Sequence, residues 1–378
     1  MYSNFDFNIK YNSKSTNARV TTINTPNGTI DTPAFIFCAT KGFLRGITTK
    51  QLKECNTQII LSNTYHLDIF PGSEKIKEMG GLHKATCWKG PMLTDSGGYQ
   101  VFAMGHGSVS EEIKGKRNGW SPTLHKITEE GAIFQSYYDK SKKKLTPEKS
   151  IQIQKNLGAD LIVVFDECTA FNVSKEYTES SMHRSHRWAL RSINEFNKLN
   201  IQNQALYGIV QGGIYSDLRT ISIDFNNSQN FFGIAIGGSL GSDKQTMYKT
   251  IEYTMNRIRK DKPIHLLGIG GIADIFHGIR QGIDTFDCVH PTRLGRHGCA
   301  LVKSNYWLNS KKKPKESIDL TKSDFNKDTS VIDDSCECPT CKDGHSRMYI
   351  NYLFKLNESL GGTSVSYTHL TLPTKRIV

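Results

Sequence analysis

Residues 146–167, TPEKSIQIQKNLGADLIVVFDE, contain a helix signal followed at once by a strand signal. Thr146 can cap a helix, Pro147 fits its first turn, and Gly158 follows its end. The next run, at 161–165, is short, apolar and uninterrupted, as expected of a strand that is buried on both faces. This stretch therefore predicts one helix–strand unit of an α/β fold, with two acidic residues at the end of the strand.

Short apolar runs of this kind recur through most of the chain, and helix-like segments separate most of them. Eight runs share the pattern: residues 34–37, 58–61, 91–94, 161–165, 205–210, 231–236, 265–269 and 285–286. Eight strand–helix units in about 300 residues predict an α/β fold of the (β/α)₈ or TIM-barrel type. The eighth run is short, so a doubly wound open sheet is the structural alternative. The segment at 96–145 is too long for a simple connection and predicts an insertion with its own local structure.

Polar residues or glycine pairs follow seven of the eight predicted strands, at the point where each strand ends. In chain order, starting from the second strand, they are Asn63, Asp95, Asp166-Glu167, Gln211, Gly237-Gly238, Gly270-Gly271 and Asp287. Because the strand ends of a (β/α)₈ barrel open onto one face, we expect these residues to share a single site. Acids placed at random over loops and helices would not show this regularity.

The chain is basic, with 48 Lys and Arg against 36 Asp and Glu and a formal net charge of +12. That balance favours a polyanionic partner, because phosphate contacts release condensed counterions. The lysine runs at 142–144 and 311–313 fit either a solvated surface or phosphate contacts. No apolar run approaches the ~20 residues of a membrane span, and the first residues are polar, so we expect a cytoplasmic protein without a membrane partner.

The nine cysteines fall into two groups. Six are scattered along the chain, as expected of reduced thiols rather than a disulfide framework. The others, Cys336, Cys338 and Cys341, form a C-x-C-x₂-C cluster, and three thiolates this close can occupy three corners of a zinc tetrahedron. A fourth ligand would have to lie downstream, where His345 and His369 are both within reach in sequence. The cluster therefore predicts a Zn²⁺ site.

The motif DSGGYQ at 95–100 places an acid, two glycines and an aromatic ring after the third strand. The glycines let a substrate approach the backbone closely, and Tyr99 can offer its ring face to a planar ligand. The alternative is that Asp95 only caps the following helix before a glycine turn, which is common in α/β proteins. Taken by itself, this motif favours the capping interpretation.

Asp166 and Glu167 follow the fourth strand, where ionised side chains are costly unless they are paired. A carboxylate at this position can accept hydrogen bonds from the N–H groups of a guanine-like base, and the alternative is a structural ion pair with an arginine. Gln211 can bond to a base edge, and the backbone N–H groups of Gly237 and Gly238 can reach a carbonyl oxygen. Each of these signals is weak when it is taken alone.

The stretch FDCVHPTRLGRHG at 286–298 is the most specific one. Asp287 lies where a nucleophilic carboxylate would be presented, and such a nucleophile suits attack on an anomeric carbon. Arg293 and Arg296 suit phosphate binding, and the alternative is that both arginines bridge surface acids. The two histidines of the stretch are expected to pack rather than to bind a metal.

Taken as an ordered set, these motifs resemble the tRNA-guanine transglycosylases, also called queuine tRNA-ribosyltransferases. The resemblance runs from about residue 32 to about residue 361 and includes NTYHL at 63–67 and GIG at 268–270. It implies a pentosyltransferase that exchanges guanine at the wobble position of tRNAs with a G-U-N anticodon for a 7-deazaguanine base in queuosine biosynthesis. It also implies a homodimer, which is the usual form of the family.

The resemblance implies a role for each site residue. Asp287 is the nucleophile that links covalently to the ribose C1′, and Asp95 is the general acid/base. The residues that bind the base are Ser96, Tyr99, Asp166, Gln211, Gly237 and Gly238, and those that contact the tRNA are Arg293 and Arg296. The zinc ligands are Cys336, Cys338 and Cys341, with His369 as the fourth.

The sequence departs from the family's pattern in three places. Phe70 replaces an arginine before the Pro-Gly pair at 71–72. Gly241 stands where many bacterial relatives carry a larger residue, which would leave room for queuine beside 7-aminomethyl-7-deazaguanine. The end of the chain lacks the His-Asn pair that starts the family's final long helix. We therefore divide the chain into a catalytic barrel at 1–330, a truncated zinc subdomain at 331–363 and an atypical tail at 364–378 that looks foreign to the family.

Three other functions fit parts of the pattern. An archaeosine-type enzyme would need extra RNA-binding domains, for which the sequence has no length left. A non-catalytic tRNA-binding subunit would lack the two acids, yet Asp95 and Asp287 are both present. A metal-dependent barrel hydrolase would need a His-x-His ligand set at its strand ends, which the sequence does not contain.

Overall fold

A computed structural model describes residues 2–106, 123–303, 306 and 315–376. The strands are β1 (Asp6–Asn12), β2 (Arg19–Thr25), β3 (Gly28–Thr32), β4 (Ala34–Cys38), β5 (Ile60–Ser62), β6 (Met92–Thr94), β7 (Leu124–Thr128), β8 (Gly131–Gln135), β9 (Lys142–Leu145), β10 (Leu161–Val163), β11 (Ala205–Val210), β12 (Gly233–Ile236), β13 (Ile264–Leu266), β14 (Thr285–Cys288), β15 (Cys299–Leu301) and β16 (Ser317–Asp319). The helices are α1 (Thr49–Glu54), α2 (Thr64–Ile69), α3 (Ser73–Glu78), α4 (Gly81–Thr86), α5 (Gly98–His106), α6 (Pro147–Leu157), α7 (Lys175–Lys198), α8 (Ser216–Ser228), α9 (Lys244–Met255), α10 (Ile272–Gln281), α11 (His290–Arg296), α12 (Pro339–Lys342), α13 (Arg347–Lys355) and α14 (Ser359–Arg376).

Eight parallel strands close into a barrel in the order β4-β5-β6-β10-β11-β12-β13-β14. The barrel closes where Phe286 of β14 lies opposite Phe35 of β4. Each predicted apolar run overlaps one barrel strand, so the TIM-barrel prediction is confirmed and the open-sheet alternative is wrong. Uninterrupted apolar strands suit this position, because helices cover the outside of the barrel and packed side chains fill the inside.

The helix–strand unit that begins at Thr146 folds as its sequence predicts. The Thr146 side chain caps α6 by accepting a hydrogen bond from the Lys149 N–H at 3.2 Å. Gly158 ends the helix with a φ of 72°. The three residues of β10 are all buried, and Asp166 and Glu167 follow at the carboxyl end of this strand, toward the mouth of the barrel.

A three-stranded antiparallel sheet, β1-β2-β3, lies against the opposite end of the barrel. Arg19 of β2 donates to both carboxylate oxygens of Asp284, at 2.9 and 2.5 Å. The same guanidinium donates to the main-chain carbonyls of Lys260 and Lys262. Because Asp284 directly precedes β14, this ion pair lies at the amino ends of the barrel strands. The barrel pattern of the sequence begins only at residue 34, so this sheet was not expected.

The predicted insertion at 96–145 has its own local structure. After α5, strands β7, β8 and β9 form a separate three-stranded antiparallel sheet. Lys144 of β9 forms an exposed ion pair with Glu130, so this member of the lysine run at 142–144 lies at the surface. The other lysine run, at 311–313, lies outside the described residues.

The C-terminal elements form a second layer beside the barrel. Strands β15 and β16 pair antiparallel, and the side-chain amide of Asn351 on α13 donates to the carbonyls of Leu320 and Lys322 at 2.7 and 2.9 Å. Residues on both sides of position 330 therefore belong to one packed unit, and the domain boundary predicted there falls inside that unit.

The last helix, α14, packs against α11 and includes residues that we expected to form an atypical tail. Val365 and Leu370 are both buried. The boundary predicted at residue 364 therefore lies inside a helix, and a long final helix is present. In the described part of the chain, no helix combines the length and apolar character needed to cross a bilayer.

Candidate active site

The carboxyl ends of the barrel strands bring four side chains to one mouth, and these are Asp95, Asp166, Gln211 and Asp287. Asp166 and Gln211 are hydrogen-bonded to each other, and Asp287 lies close enough to Asp95 for their charges to interact. The barrel thus places together residues that are far apart in the sequence.

Asp287 is held mainly through one of its carboxylate oxygens. Its Oδ1 accepts a hydrogen bond from the Gly268 N–H at 2.9 Å and lies 3.2 Å from His265 Nε2. Its Oδ2 accepts a hydrogen bond from the Cys38 thiol at 3.6 Å, and a thiol is a weak donor. Gly268 has a φ of +72°, which glycine adopts without strain, and this turn directs its N–H at the carboxylate. Asp287 is only 8% exposed, so it is enclosed but still accessible.

Asp95 is held by the neighbouring βα unit. Its Oδ1 accepts a hydrogen bond from the Thr64 N–H at 2.9 Å, and its Oδ2 accepts one from the Asn63 side-chain amide. Burial raises the pKa of Asp95 to about 7, the Thr64 hydrogen bond opposes this rise, and the charge of Asp287 adds to it. A carboxyl group with this pKa can both hold and release a proton near neutral pH, as a general acid/base must.

Asp166, Ser96 and Gln211 form a buried hydrogen-bonded set at the ends of three consecutive barrel strands. Asp166 accepts hydrogen bonds from Ser96 Oγ at 3.2 Å and from Gln211 Nε2 at 2.7 Å. Burial raises the pKa of Asp166 to about 6, and the two hydrogen bonds oppose this rise. The set offers a carboxylate and an amide to the hydrogen-bonding edge of a planar base.

Gly98 and Tyr99, the next residues of the DSGGYQ motif, lie differently with respect to the site. A Cβ atom on Gly98 would lie 2.1 Å from Asp166 Oδ1, so only glycine allows the backbone to approach this carboxylate. Tyr99 is 45% exposed, so part of its ring faces solvent beside the site. That position suits the stacking role that the family resemblance implies.

Glu167, the second acid of its strand end, has a structural role. It forms an ion pair with Arg184 on α7 and accepts a hydrogen bond from the Tyr177 hydroxyl at 2.7 Å. Its side chain is 2% exposed, so the arginine offsets the cost of burying its charge. The sequence allowed two roles for this acidic pair, hydrogen bonding to a base or a structural ion pair with an arginine. The ion pair is formed by Glu167, whereas Asp166 bonds to Gln211.

Arg219 on α8 fixes the backbone of two strand-end turns. Its guanidinium is almost fully buried and donates to the carbonyls of Gly213 and Gly237 at 2.8 and 2.9 Å. Burial lowers the pKa of Arg219 to about 9. Gly238 lies directly against the Gln211 side chain, so this arginine holds the turn at 237–238 next to the Gln211 amide.

Three arginines lie together at one side of the mouth. Arg293 on α11 is exposed, and Arg296 is partly buried and donates to the Thr292 carbonyl at 3.1 Å. Burial lowers the pKa of Arg296, and the positive charges of Arg45 and Arg293 lower it further. Guanidinium groups close enough to repel one another suit the binding of phosphate groups.

Comparison with known proteins agrees with this geometry. The profile of the queuine tRNA-ribosyltransferase family matches residues 13–371. A queuine tRNA-ribosyltransferase from Roseiflexus sp. (strain RS-1) is 41% identical over 374 residues, which cover 95% of this chain and 91% of the relative. One from Chlamydia pneumoniae is 41% identical over 354 residues, with 93% and 91% covered, and one from Prochlorococcus marinus is 40% identical over 368 residues, with 97% and 90% covered.

The chain belongs to the queuine tRNA-ribosyltransferase family. Membership confirms the family resemblance and the expected enzyme class, which is that of the pentosyltransferases.

In this queuine tRNA-ribosyltransferase family member, a second group of candidate site residues lies in the C-terminal layer. The sulfur atoms of Cys336, Cys338 and Cys341 all lie within 4.8 Å of one another, and two of the three residues are buried. Hydrogen bonding to the Cys336 sulfur raises the pKa of the Cys341 thiol, as expected where thiols crowd together. A donor set of this kind fits a soft divalent cation such as Zn²⁺.

The structure does not bring His369 to the three cysteines. Its Nδ1 lies 2.7 Å from the Pro291 carbonyl, and its Nε2 accepts a hydrogen bond from the Leu301 N–H at 2.8 Å. The preceding residue, Thr368, faces the sulfurs instead, with its Oγ1 3.5 Å from Cys338 Sγ. Adjacent helical side chains point about 100° apart, so both cannot face the cluster. His369 therefore links α11 to β15, and its assignment as the fourth zinc ligand does not hold in this structure.

Several residues at the mouth were not expected from the sequence, namely Cys38, Arg45, Arg219 and His265. A signal was available for His265, because a histidine inside an otherwise apolar strand needs a buried polar partner. The two arginines carry no comparable local signal, since the fold alone brings Arg45 near Arg296 and brings Arg219 to the Gly237 carbonyl.

Proposed function

We propose that this enzyme exchanges guanine at the wobble position of tRNAs with a G-U-N anticodon for a 7-deazaguanine base, in queuosine biosynthesis. The proposal rests on the two carboxylates at the barrel mouth, Asp287 and Asp95, which have different hydrogen-bond partners. Base exchange through a covalent intermediate needs one ionised carboxylate to attack carbon and another to move a proton. The names of the relatives are consistent with this chemistry.

In the first half-reaction, a carboxylate oxygen of Asp287 attacks the ribose C1′ as the bond between C1′ and the guanine N9 breaks. The electron pair of that bond moves to the base, and protonated Asp95 supplies the base with a proton. Guanine then leaves as a neutral molecule, and the ribose stays attached to Asp287 as an ester. Asp95 suits the acid role because burial holds its pKa at about 7.

In the second half-reaction, the ionised Asp95 removes the N9 proton of the incoming base. The N9 atom attacks C1′, and Asp287 leaves as a carboxylate. Asp95 is protonated again at the end, so the proton balance over the two halves is zero. Because guanine departs before the new base enters, one pocket can bind two similar bases in turn.

The set formed by Asp166, Gln211 and the turn at 237–238 is proposed to bind either base through its hydrogen-bonding edge. We propose 7-aminomethyl-7-deazaguanine as the main incoming base. A Cβ atom on Gly241 would lie 2.6 Å from the Thr246 side chain, so that space is filled and does not provide the extra room that queuine would need. Competition between the two bases for tRNA incorporation tests this, and preferred use of queuine would contradict it.

We propose Zn²⁺ as the ion held by Cys336, Cys338 and Cys341. When bound, the ion would cross-link the C-terminal layer as a structural centre. The cluster lies beside α14, which packs on α11 next to the arginines of the mouth. The cysteines would thereby stabilise the surface that contacts the tRNA.

The arginines at the mouth, Arg45, Arg293 and Arg296, are proposed to bind phosphates of the anticodon loop. A base in a loop costs less to lift out than a base in a duplex, which suits an enclosed nucleophile. The net charge of +12 supports a polyanionic partner. By family resemblance, we further propose a homodimer that works in the cytoplasm.

The decisive experiment measures incorporation of labelled guanine into an unmodified tRNA transcript with a G-U-N anticodon. We expect exchange by the wild type and none by Asp287→Ala, because the variant lacks the nucleophile. A transcript with adenine at the wobble position is the substrate control. Exchange that survives in Asp287→Ala would refute the assignment of the nucleophile, and tRNA binding without exchange by the wild type would favour a non-catalytic subunit.

A further inference from the structure

His265 is a polar side chain inside the barrel with both ring nitrogens engaged. It lies on β13 and is 1% exposed. Its Nε2 is 3.2 Å from Asp287 Oδ1, and its Nδ1 is 2.9 Å from Thr285 Oγ1. Thr285 and Asp287 are alternate residues of β14 and therefore face the same side of the strand. The imidazole on one strand thus bridges two side chains of the next strand.

The chemistry of the partners decides which nitrogen donates. An ionised carboxylate only accepts hydrogen bonds, so the Nε2 of His265 carries the hydrogen that faces Asp287. With that hydrogen on Nε2, the Nδ1 atom is the acceptor for the Thr285 hydroxyl, and this second bond fixes the orientation of the ring. The three side chains form a chain of hydrogen bonds that ends at the nucleophile.

We propose that His265 is a positioning residue that holds Asp287 by its Oδ1 and leaves Oδ2 to attack C1′. This inference rests on the proposed function. Gly268 adds a second donor to the same Oδ1, at 2.9 Å. Among the described residues, Oδ2 accepts a hydrogen bond only from the Cys38 thiol, at 3.6 Å. Since a thiol is a weak donor, the lone pairs of Oδ2 are the more available ones.

The same contacts act through both halves of the reaction. When Oδ2 bonds to C1′, Oδ1 becomes the carbonyl oxygen of the ester and still accepts from His265 and Gly268. When Asp287 leaves again, part of the returning negative charge falls on Oδ1, where both donors stabilise it. Orientation matters because a misplacement of about 1 Å can cost roughly 100-fold in rate.

The test compares His265→Leu, which removes the donor, with His265→Gln, which supplies an amide N–H in its place. Steady-state guanine exchange gives kcat and KM for the tRNA. A single-turnover experiment gives the rate at which the covalent enzyme–tRNA complex forms, with the complex resolved under denaturing conditions. Thr254→Val is the matched control, because it removes another buried hydroxyl on α9, whose partner is the Thr250 carbonyl.

For His265→Leu, we expect kcat and the rate of complex formation to fall by about 10–100-fold, with KM for the tRNA changed by less than about threefold. His265→Gln should recover a large part of the loss, and Thr254→Val should match the wild type. Thr285→Val keeps the imidazole but removes the partner of its Nδ1, and we expect a smaller fall in kcat, of about 3–10-fold. This variant tests the role even if leucine in the barrel core impairs folding.

Two results would overturn the positioning role while leaving the proposed function in place. One is a kcat of His265→Leu and Thr285→Val no lower than that of Thr254→Val. The other is a loss in His265→Leu that glutamine does not recover or that appears in KM alone. A covalent complex that still forms in Asp287→Asn would instead refute the nucleophile, and with it both proposals.

Discussion

The buried carboxylates at the barrel mouth differ in whether a positively charged side chain is paired with them. Burial raises the pKa of Asp95 to about 7 and that of Asp166 to about 6, although hydrogen-bond donors oppose both shifts. Glu167 is also buried but is paired with Arg184. Acidic side chains that lie in a cleft and have a raised pKa are typical of functional sites. Such sites commonly lower the stability of the folded protein.

The raised pKa of Asp95 predicts a pH-dependent cost in stability. The folded-state pKa of about 7 exceeds the usual value of 3.8, so between these pH values the folded protein binds a proton that the unfolded chain has released. The free energy of unfolding therefore falls as pH rises through this window, and the loss is complete above it.

We accordingly expect Asp95→Asn to be more stable than the wild type at pH 8, by roughly 1–3 kcal/mol, and nearly equal to it at pH 4. The gain in unfolding free energy stays below the value that corresponds to the whole pKa shift. The reason is that an amide offers only one acceptor oxygen to the two donors from Asn63 and Thr64. Denaturant unfolding at both pH values measures the difference. Asp224→Asn, at an exposed position on α8, is the control for loss of a charge. An Asp95→Asn variant that is destabilised at pH 8 would contradict the prediction.

At the scale of secondary-structure elements, the rotation of α14 decides which side chain faces the cysteine cluster. Thr368 Oγ1 lies 3.5 Å from Cys338 Sγ and 3.8 Å from Cys341 Sγ. An alcohol is not among the usual ligands of structural Zn²⁺, which takes four sulfur or nitrogen donors. Cys55 at the end of α1 also lies near the cluster, since burial and the charge of Cys338 together raise the pKa of its thiol to about 12.

We expect Thr368→His to raise the affinity for Zn²⁺ by about tenfold or more, because it adds a nitrogen donor at the position that faces the sulfurs. Competition with a chromophoric chelator measures the affinity, and the Co²⁺ absorption spectrum reports the ligand set. Thr363→His, five residues earlier on α14, is the matched control, because the Thr363 hydroxyl donates to the Gly46 carbonyl rather than facing the sulfurs. An unchanged affinity in Thr368→His, with a four-sulfur Co²⁺ spectrum in the wild type, would instead make Cys55 the fourth ligand.

At the scale of the whole molecule, the two ends of the barrel carry different groups of acidic residues. The carboxyl ends of the strands carry Asp95 and Asp287, whereas the amino ends carry Asp284, which forms a buried ion pair with Arg19 of the N-terminal sheet. The N-terminal sheet therefore lies at one end of the barrel, and the candidate active site lies at the other. This division agrees with the general observation that catalysis in TIM barrels is located at the carboxyl face.

We expect Arg19→Met to lower the free energy of unfolding by about 3–5 kcal/mol, because it leaves Asp284 buried without a counter-charge. The kcat for guanine exchange should stay within about twofold, since the ion pair lies at the opposite end of the barrel from the carboxylates. Lys144→Met, which breaks an exposed ion pair with Glu130, is the control and should leave the free energy of unfolding nearly unchanged, because solvent screens such a pair. Thermal unfolding and exchange assays measure both effects. A loss of activity without a loss of stability in Arg19→Met would contradict the separation of the two ends.

The sequence by itself determined the barrel, the order of the strand-end acids and the cysteine cluster. These features are encoded locally. Apolar runs mark buried strands, the residue after each run marks the mouth, and a C-x-C-x₂-C spacing keeps three sulfurs together without help from the rest of the fold. The positions of Asp95, Asp166 and Asp287 after their strands therefore suffice to predict that they share one face of the barrel.

Only the tertiary structure decided what each of these groups contacts. The hydrogen bonds from His265 to Asp287 and from Asn63 to Asp95 join different strand–helix units, and no local pattern specifies such pairs. The fourth position of the cysteine cluster shows the limit most clearly, because His369 and Thr368 are adjacent in sequence. A rotation of about 100° between neighbouring helical residues directs the His369 side chain toward α11 and β15 and the Thr368 side chain toward the sulfurs. The packing of α14 against α11 sets that rotation, and packing is a property of the whole fold.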